Sequence, residues 1–165
     1  MRFSLLPKLI VPGITDITPQ HLQERGIALL MLDFDNTIVP YTTSKPTEKV
    51  SAWLREMAAG DIKICVVSNS HKDRVKIFCS QYGIDCITHA KKPFPKGIRE
   101  CLDRYNLPKE QCALAGDQIY TDVLGANCAG VQSILVKAID NHNVWLKARH
   151  ILEKPWIFAA RKRRV

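Results

Sequence analysis

Four aspartates follow two strongly apolar stretches of the chain, and their side chains are the first candidates for chemistry. Asp33 ends the segment IALLMLD with Asp35 just beyond it, and Asp117 and Asp122 follow the segment CALAG. If these stretches are parallel strands of one sheet, the four carboxylates lie at the same edge, where ligand sites of such sheets form. Carboxylate oxygens suit Mg²⁺, and a carboxylate can also accept a phosphoryl group as a covalent nucleophile.

Two further apolar stretches end in side chains that suit phosphate binding. Ser68 and Asn69 follow the segment IKICVV, and Lys91 and Lys92 come shortly after the segment IDCIT. A hydroxyl can donate a hydrogen bond to a phosphoryl oxygen, and an ammonium group offsets the charge of several carboxylates. Taken singly, a serine at a strand end is usually a turn residue and a lysine beside a proline is usually solvated.

The apolar stretches alternate with amphipathic helical segments, which is typical of a parallel sheet covered by helices on both faces. Strands are predicted over five segments: Ile27 to Asp33, Ile62 to Ser68, Ile84 to Thr88, Cys112 to Gly116 and Val131 to Val136. Helices are predicted over four segments: Thr47 to Ala59, Val75 to Tyr82, Lys96 to Tyr105 and Thr121 to Ala129. The expected fold is α/β, a single Rossmann-like domain with a parallel sheet of about five strands.

The length of 165 residues suits one domain, which we divide into three parts. Residues 1–26 are an N-terminal lead-in with a short helix that begins at Thr18 and Pro19 and ends at Gly26. Residues 27–140 are the core with the alternating pattern, and residues 141–165 are a basic C-terminal tail. The six cysteines form no C-x-x-C pair, which favours reduced thiols that serve as small core residues.

The acidic segment Asp33-Phe34-Asp35-Asn36-Thr37 resembles the D-x-D-x-T signature of the haloacid dehalogenase phosphatases. The later elements follow in that family's order, namely Ser68, Lys92 and the pair of Asp117 and Asp122. The resemblance implies a haloacid dehalogenase-like fold and a phosphatase that forms an aspartyl-phosphate. Asp33 would be the nucleophile, and Asp35 would protonate the leaving oxygen and later deprotonate the attacking water.

The resemblance also assigns the remaining site residues. Mg²⁺ suits Asp33, the backbone carbonyl of Asp35 and Asp117, with Asp122 binding through water or orienting Lys92. Lys91 and Lys96 compete with Lys92, which we prefer because Lys-Pro after a short strand resembles the motif. The candidates for contact with the substrate are Asn36, Thr37 and Asn69. The alternative roles for Asp117 and Asp122 are a turn residue and a helix cap.

Many of these phosphatases carry a cap domain after the first or second motif, but this chain has room for little more than one helix in each interval. We therefore expect no cap domain. The finer resemblance is to the YqeG-like branch and the related phosphatidylglycerophosphatases, carried by Leu32 to Thr37, Ala90 to Pro93 and Gly116 to Asn127. It implies removal of the terminal phosphate from phosphatidylglycerophosphate, an anionic phospholipid, in phospholipid biosynthesis.

The formal net charge of +8 favours an anionic partner. Much of the excess lies in the segment Arg161 to Arg164, which follows Trp156-Ile157-Phe158, and this combination suits a membrane surface. The alternative is a solvated terminus. No stretch approaches the ~20 apolar residues of a membrane-spanning helix, and no signal-peptide pattern opens the chain. We expect a cytoplasmic protein, with peripheral attachment to the cytosolic membrane face through the tail as a hypothesis.

Two other functions compete with the lipid phosphatase. One is a soluble phosphatase of the same fold that acts on a small phosphorylated metabolite, a nucleotide or a phosphoprotein. The other is a basic nucleic-acid-binding module without catalysis, in which the acidic cluster is only a structural metal site. Aromatic residues do not alternate with Lys and Arg along a predicted strand or helix, so no nucleic-acid partner is expected.

Overall fold

The computed structural model describes residues 3–43, 45–71, 73–139 and 155–160 of the chain. It has one sheet of six parallel strands in the order β1-β6-β5-β2-β3-β4. The strands are β1 (Leu9–Val11), β2 (Leu29–Leu32), β3 (Lys63–Val67), β4 (Asp85–Ile87), β5 (Cys112–Gly116) and β6 (Gln132–Val136). The main helices are α1 (Pro19–Gln23), α2 (Glu48–Ala59), α3 (Asp73–Tyr82), α4 (Lys96–Tyr105) and α5 (Leu124–Ala129). The predicted α/β fold is confirmed.

Helices cover both faces of the sheet because neighbouring residues of each strand point to opposite sides. Leu30 and Leu32 of β2 belong to a buried cluster that includes Trp53 of α2 and Phe78 of α3. Leu29 and Met31 belong to a second cluster that includes Ile98 of α4. This is the pattern of a central parallel strand that is buried on both faces, which explains why the segment is almost continuously apolar.

Helix boundaries follow the local capping chemistry that the sequence contains. The Thr47 hydroxyl accepts a hydrogen bond from the Val50 N–H at 3.3 Å and caps α2, which ends before Gly60. The Thr18 hydroxyl caps α1 in the same way by accepting from the His21 N–H. These side chains satisfy backbone donors that have no partner within a helix. The observed strands are one to three residues shorter than predicted, except β5.

Two elements differ from the prediction. The strand β1 was not predicted, because Pro7 and Pro12 flank it and leave only three paired residues; it pairs with β6 and makes the sheet six-stranded. The helix predicted from Thr121 begins instead as a π-helix at Ile119–Val123, which continues into α5. The domain boundaries at residues 26 and 140 remain predictions.

The two intervals in which a cap domain could be inserted contain only elements of the core. The first, from Thr37 to Ser68, holds α2 and β3, and the second, from Asn69 to Lys92, holds α3 and β4. Within the described residues of both intervals the chain forms no separate domain. The expected absence of a cap agrees with this architecture, and the edge of the sheet that follows β2 and β3 is not covered by an inserted domain.

The C-terminal region is described only over residues 155–160, which are helical. Ile157 of this helix packs against a buried cluster of Ile119, Val123 and Leu135. The basic segment Arg161 to Arg164, on which the membrane hypothesis depends, lies outside the described residues. Among the described helices, none combines the length and the hydropathy needed to cross a bilayer. All six cysteines are unbridged, and five of them are buried as expected.

Gly116 ends β5 at a point where the chain has no room for a side chain. A Cβ atom at this position would lie 2.3 Å from Asp122 Oδ2 and 2.6 Å from Asp122 Cβ. The backbone of β5 therefore packs directly against Asp122, and glycine is required here for steric reasons. By contrast, a Cβ atom on Gly60 would meet its nearest neighbour at 3.4 Å, which is an ordinary contact.

We predict that Gly116→Ala destabilises the protein and that Gly60→Ala does not. Overpacking of this kind costs about 1–3 kcal/mol, which corresponds to a fall of roughly 3–10 °C in Tm for a chain of this length. Gly60 has φ −88°, which alanine adopts without strain, so it is a matched control. Thermal unfolding followed by circular dichroism measures both variants. Equal Tm values for Gly116→Ala and the parent would contradict the steric argument.

Candidate active site

Four adjacent strands deliver the predicted residues to one edge of the sheet. Asp33 follows β2, Ser68 follows β3, Lys92 comes after β4, and Asp117 follows β5. Their exposed fractions are 6% for Asp33, 1% for Ser68, 5% for Lys92 and 6% for Asp117. Polar residues that are this deeply buried need partners. Asp33, Lys92 and Asp117 lie in one charged cluster, and Ser68 Oγ accepts the Ser70 N–H. The structure thus brings these four predicted residues together.

The ammonium group of Lys92 lies between two carboxylates. Lys92 Nζ is 2.6 Å from Asp33 Oδ1 and 2.8 Å from Asp122 Oδ1. Burial alone lowers the pKa of Lys92, but the charges of Asp122 and Asp33 outweigh burial and raise the pKa above its ordinary value. Lys92 therefore stays charged at neutral pH. The competing candidates Lys91 and Lys96 are exposed.

The backbone around Lys92 is fixed by a side chain whose role the sequence did not predict. Asn69 Nδ2 donates to the Lys92 carbonyl oxygen at 2.8 Å, and the Lys92 N–H donates to Asn69 Oδ1 at 2.7 Å. Asn69 was predicted to contact substrate, a role that stays a prediction, whereas its observed contacts position the lysine. Helix α4 also approaches closely, since a Cβ atom on Gly97 would lie 2.6 Å from Ala90.

Three buried carboxylates form a group that could hold a metal ion. One oxygen from each of Asp33, Asp117 and Asp122 lies within 4.8 Å of the other two. Three ionised carboxylates and the ammonium group of Lys92 sum to a charge of −2, and hard oxygen donors of this charge suit a divalent cation such as Mg²⁺. The Asp122 Oδ2 atom also accepts the Gln118 N–H at 3.1 Å. Asp122 Oδ1 is buried and contacts Lys92 as an ion pair, without a hydrogen bond of good geometry, which leaves both of its predicted roles open.

The carboxyl group of Asp33 has a raised pKa. Burial raises its pKa, Lys92 lowers it and Asp122 raises it again, so that the pKa of Asp33 is raised to about 6 in the absence of a metal ion. Thr37 Oγ1 lies 3.4 Å from Asp33 Oδ2 and 3.5 Å from Asp117 Oδ1. Its single hydroxyl proton can be donated to one of these carboxylates at a time.

Asp35 lies nearer the surface than Asp33 and has a different partner. Its carboxylate forms an ion pair with Arg74 of α3, and the side chains are 21% and 18% exposed. Arg74 Nη1 also donates to the Thr43 carbonyl oxygen at 2.9 Å, and the guanidinium lies 5.2 Å from the ring centroid of Phe34. Arg74 was not predicted from the sequence, because no motif marks an arginine in the first turn of a helix 39 residues from Asp35.

The turn after Asp35 explains the remaining residues of the first motif. Asn36 adopts φ 66°, a left-handed conformation that asparagine tolerates better than most residues, and its N–H donates to the Val39 carbonyl oxygen at 2.7 Å. Asn36 and Thr37 are 0% and 1% exposed. The turn directs the chain away from β2 and leaves Asp33 and Asp35 at the edge. Direct contact of Asn36 and Thr37 with substrate stays a prediction.

Comparisons with known proteins agree with this geometry. Residues 6–130 match the family model described as haloacid dehalogenase-like hydrolase. The chain is 38% identical over 136 residues to the Bacillus subtilis (strain 168) protein named "Probable phosphatase YqeG", which covers 82% of this chain and 79% of the relative. It is 29% identical over 146 residues to the mitochondrial phosphatidylglycerophosphatase GEP4 of Saccharomyces cerevisiae, which covers 79% of this chain and 77% of the relative.

A solved structure shares the fold at low sequence identity. The cobalt-bound form of the deoxy-D-mannose-octulosonate 8-phosphate phosphatase (YrbI) from Haemophilus influenzae superposes with a TM-score of 0.55 at 13% identity. The match covers 82% of this chain and 90% of that chain. The family model spans most of the sequence and includes every residue of the acidic cluster. The chain therefore belongs to the haloacid dehalogenase-like hydrolases.

Proposed function

We propose that the protein is a Mg²⁺-dependent phosphomonoester hydrolase in which Asp33 is the nucleophile. The observation that carries this proposal is the buried ammonium of Lys92 held between Asp33 and Asp122, with Asp117 beside them. A lysine in this position offsets part of the carboxylate charge and can attract the phosphate group. The Ser68 hydroxyl, buried at the end of β3, is a candidate donor to a phosphoryl oxygen, although its Oγ also accepts the Ser70 N–H at 3.0 Å.

The chemistry follows from the two aspartates of the first motif. An Asp33 carboxylate oxygen attacks the phosphorus, the bond to the leaving oxygen breaks, and the Asp35 carboxyl donates its proton to that oxygen. The Asp35 carboxylate then takes a proton from water, whose oxygen attacks the phosphorus. The bond between phosphorus and Asp33 breaks, which restores the Asp33 carboxylate and releases inorganic phosphate. Asp35 is partly exposed, so it can exchange protons with water. Its ion pair with Arg74 favours the carboxylate form and has to open before Asp35 carries the proton that it donates.

The predicted metal ligands belong to the acidic cluster and to the backbone of Asp35. Asp33, the backbone carbonyl of Asp35 and Asp117 would hold Mg²⁺, with Asp122 orienting Lys92 or binding the ion through water. When bound, the ion supplies positive charge that reduces repulsion between the Asp33 carboxylate and an anionic phosphate. Lys92 supplies a fixed positive charge beside Asp33 Oδ1. In the free protein, Arg74 holds the Asp35 carboxylate in place.

We infer that the substrate is an anionic phospholipid with a terminal phosphate, namely phosphatidylglycerophosphate. Three observations support this: the uncapped edge of the sheet, the net charge of +8, and the name of the yeast relative. A site without a cap accepts a phosphate carried by something larger than a metabolite. The second candidate is a phosphatase for soluble phosphomonoesters. It is favoured by the burial of Asp33 and Lys92, because these residues would contact the phosphate itself and not the group that carries it.

We predict that Asp33→Asn abolishes phosphatase activity without unfolding the protein. Asn is nearly isosteric with Asp but lacks the nucleophilic carboxylate, so kcat is expected to fall by more than about 10³-fold. Asp61→Asn, an exposed aspartate after α2, is the matched control and is expected to retain activity. Release of inorganic phosphate measures activity, and circular dichroism measures folding. A folded Asp33→Asn variant within tenfold of the parent would exclude Asp33 as the nucleophile.

Removal of the metal ion is expected to abolish activity, and Asp117→Asn is expected to raise the Mg²⁺ concentration needed for half-maximal activity by at least about tenfold. Binding is also visible without turnover, because an ion at 100 times its Kd stabilises the folded state by about 2.7 kcal/mol. Mg²⁺ should therefore raise the Tm of the parent and raise that of Asp117→Asn less. Full activity in excess chelator would contradict the metal assignment.

A panel of substrates separates the two candidate functions. We expect kcat/KM for phosphatidylglycerophosphate in mixed micelles to exceed that for soluble sugar phosphates and nucleotides by at least about 100-fold, because specific binding of the diacylglycerol-linked headgroup adds to phosphate binding. The Asp33→Asn variant, assayed in the same micelles, corrects for background hydrolysis. Comparable or higher kcat/KM for a soluble phosphomonoester would favour the second candidate and leave the Asp33 mechanism unaffected.

A further inference from the structure

Exposed hydrophobic side chains are concentrated at the edge of the sheet that carries the site. Eight large hydrophobic residues are exposed in the described part of the chain, and four of them lie on segments that leave the carboxyl ends of strands. These four, which we call the rim, are Tyr41 after β2 (44% exposed), Phe94 after β4 (70%), Tyr120 after β5 (37%) and Ile139 after β6 (38%). A concentration of exposed apolar residues around one site marks an interaction surface.

The rim residues lie close to the candidate catalytic residues, through backbone hydrogen bonds or as near neighbours in the sequence. The Phe94 N–H donates to the Lys91 carbonyl oxygen at 2.9 Å, in a turn that contains Lys92. The Ile139 N–H donates to the Asn36 carbonyl oxygen at 2.9 Å, next to Asp35. Tyr120 lies in the π-helix two residues before Asp122. The rim is therefore part of the structure that forms the site, and a surface that contacts the rim also faces the site.

The charge around the rim is basic. The exposed charged residues on the described loops at this edge are Lys45, Lys91 and Lys137. Two exposed histidines join them, His71 and His89, whose ring centroids are 3.9 Å apart. Exposed acids at this end, Glu48 and Asp73, are the first residues of α2 and α3. The opposite edge of the sheet has mixed charge, with the exposed acids Asp61, Asp85 and Glu110 and the exposed bases Arg25, Lys63 and Lys109.

We propose that the rim and its three lysines dock the protein on the surface of an anionic lipid bilayer, with the site facing the headgroups. This inference rests on the proposed lipid substrate and assigns the membrane-contacting surface to the rim instead of the basic tail. Tyr and Phe bind at the interface between headgroups and acyl chains, and lysines attract anionic lipids. A second copy of this chain is a poorer occupant, because two basic faces would repel each other.

The test measures co-sedimentation of the full chain with vesicles of phosphatidylcholine alone and of phosphatidylcholine with phosphatidylglycerol. Phosphatidylglycerol carries no phosphomonoester, so binding is measured without turnover. The rim variant Phe94→Ser/Ile139→Ser is expected to lower partitioning onto the mixed vesicles by about tenfold or more, since two apolar side chains no longer enter the interface. Lys91→Gln/Lys137→Gln should reduce binding and its dependence on salt.

The matched control is Ile77→Ser on α3, where the isoleucine is 58% exposed but does not belong to the rim. It is expected to bind as the parent does, and thermal unfolding checks that every variant is folded. A truncation after Ala160 removes the basic segment Arg161 to Arg164 but keeps Ile157, which packs against the buried cluster near the rim. It is expected to retain the rim-dependent binding.

Three outcomes would overturn the proposal. The first is that the parent fails to bind the mixed vesicles at low salt. The second is that the rim variant binds them as well as the parent does. The third is that truncation removes all binding while the rim variant keeps it. A dimer of the parent that the rim variant dissociates, without vesicle binding, would assign the rim to a second copy. Failure of the proposed function is a separate result, in which the parent binds vesicles through the rim but does not hydrolyse phosphatidylglycerophosphate.

Discussion

The site depends on one buried charge interaction, the contact of the Lys92 ammonium with Asp33 and Asp122. A buried ammonium is costly unless carboxylates compensate it, and buried carboxylates that lose their cation are equally costly. The surrounding structure therefore has to hold all three side chains at contact distance. Asn69 fixes the backbone of Lys92, and Gly116 leaves the space that Asp122 occupies. The same arrangement leaves excess negative charge, which is the condition for binding a divalent cation.

The parallel sheet explains why residues from four distant parts of the sequence meet. Strands β4, β3, β2 and β5 are neighbours in that order, so their carboxyl ends present Lys92, Ser68, Asp33 and Asp117 along one edge. Asp33 follows β2, one of the two central strands of the sheet, and it lies close to both Lys92 and the other carboxylates. Its burial raises its pKa, whereas the partly exposed Asp35 can exchange protons with water. The candidate nucleophile Asp33 and the candidate proton donor Asp35 are thus two residues apart but lie in different environments.

The sequence predicted this arrangement wherever the information was local or periodic. Strand-terminal acids, the Thr47 cap and the apolar stripe of α4 could be recognised because each is encoded within a few residues. The strand β1 could not, since its three residues become a strand only by pairing with β6. Arg74 and the contact of Asn69 with Lys92 were also missed. Both depend on which loops become neighbours after folding, and no local pattern records a pairing across 39 or 23 residues.

In the described part of the chain no inserted cap covers the site, and this leaves both the charged residues and the hydrophobic rim open to a covering surface. Charge interactions at Asp33 are strongest when water is excluded, and in capped relatives of this fold an inserted domain can close over the site. In the described structure, the loops that would meet such a domain instead expose Tyr41 and Phe94. Exposure of these aromatic side chains to water is unfavourable, and a surface that covers them lowers the free energy by removing their apolar area from water. A lipid headgroup layer would bury the rim and enclose the phosphate at the same time, so one contact would both place the substrate and limit water at Asp33.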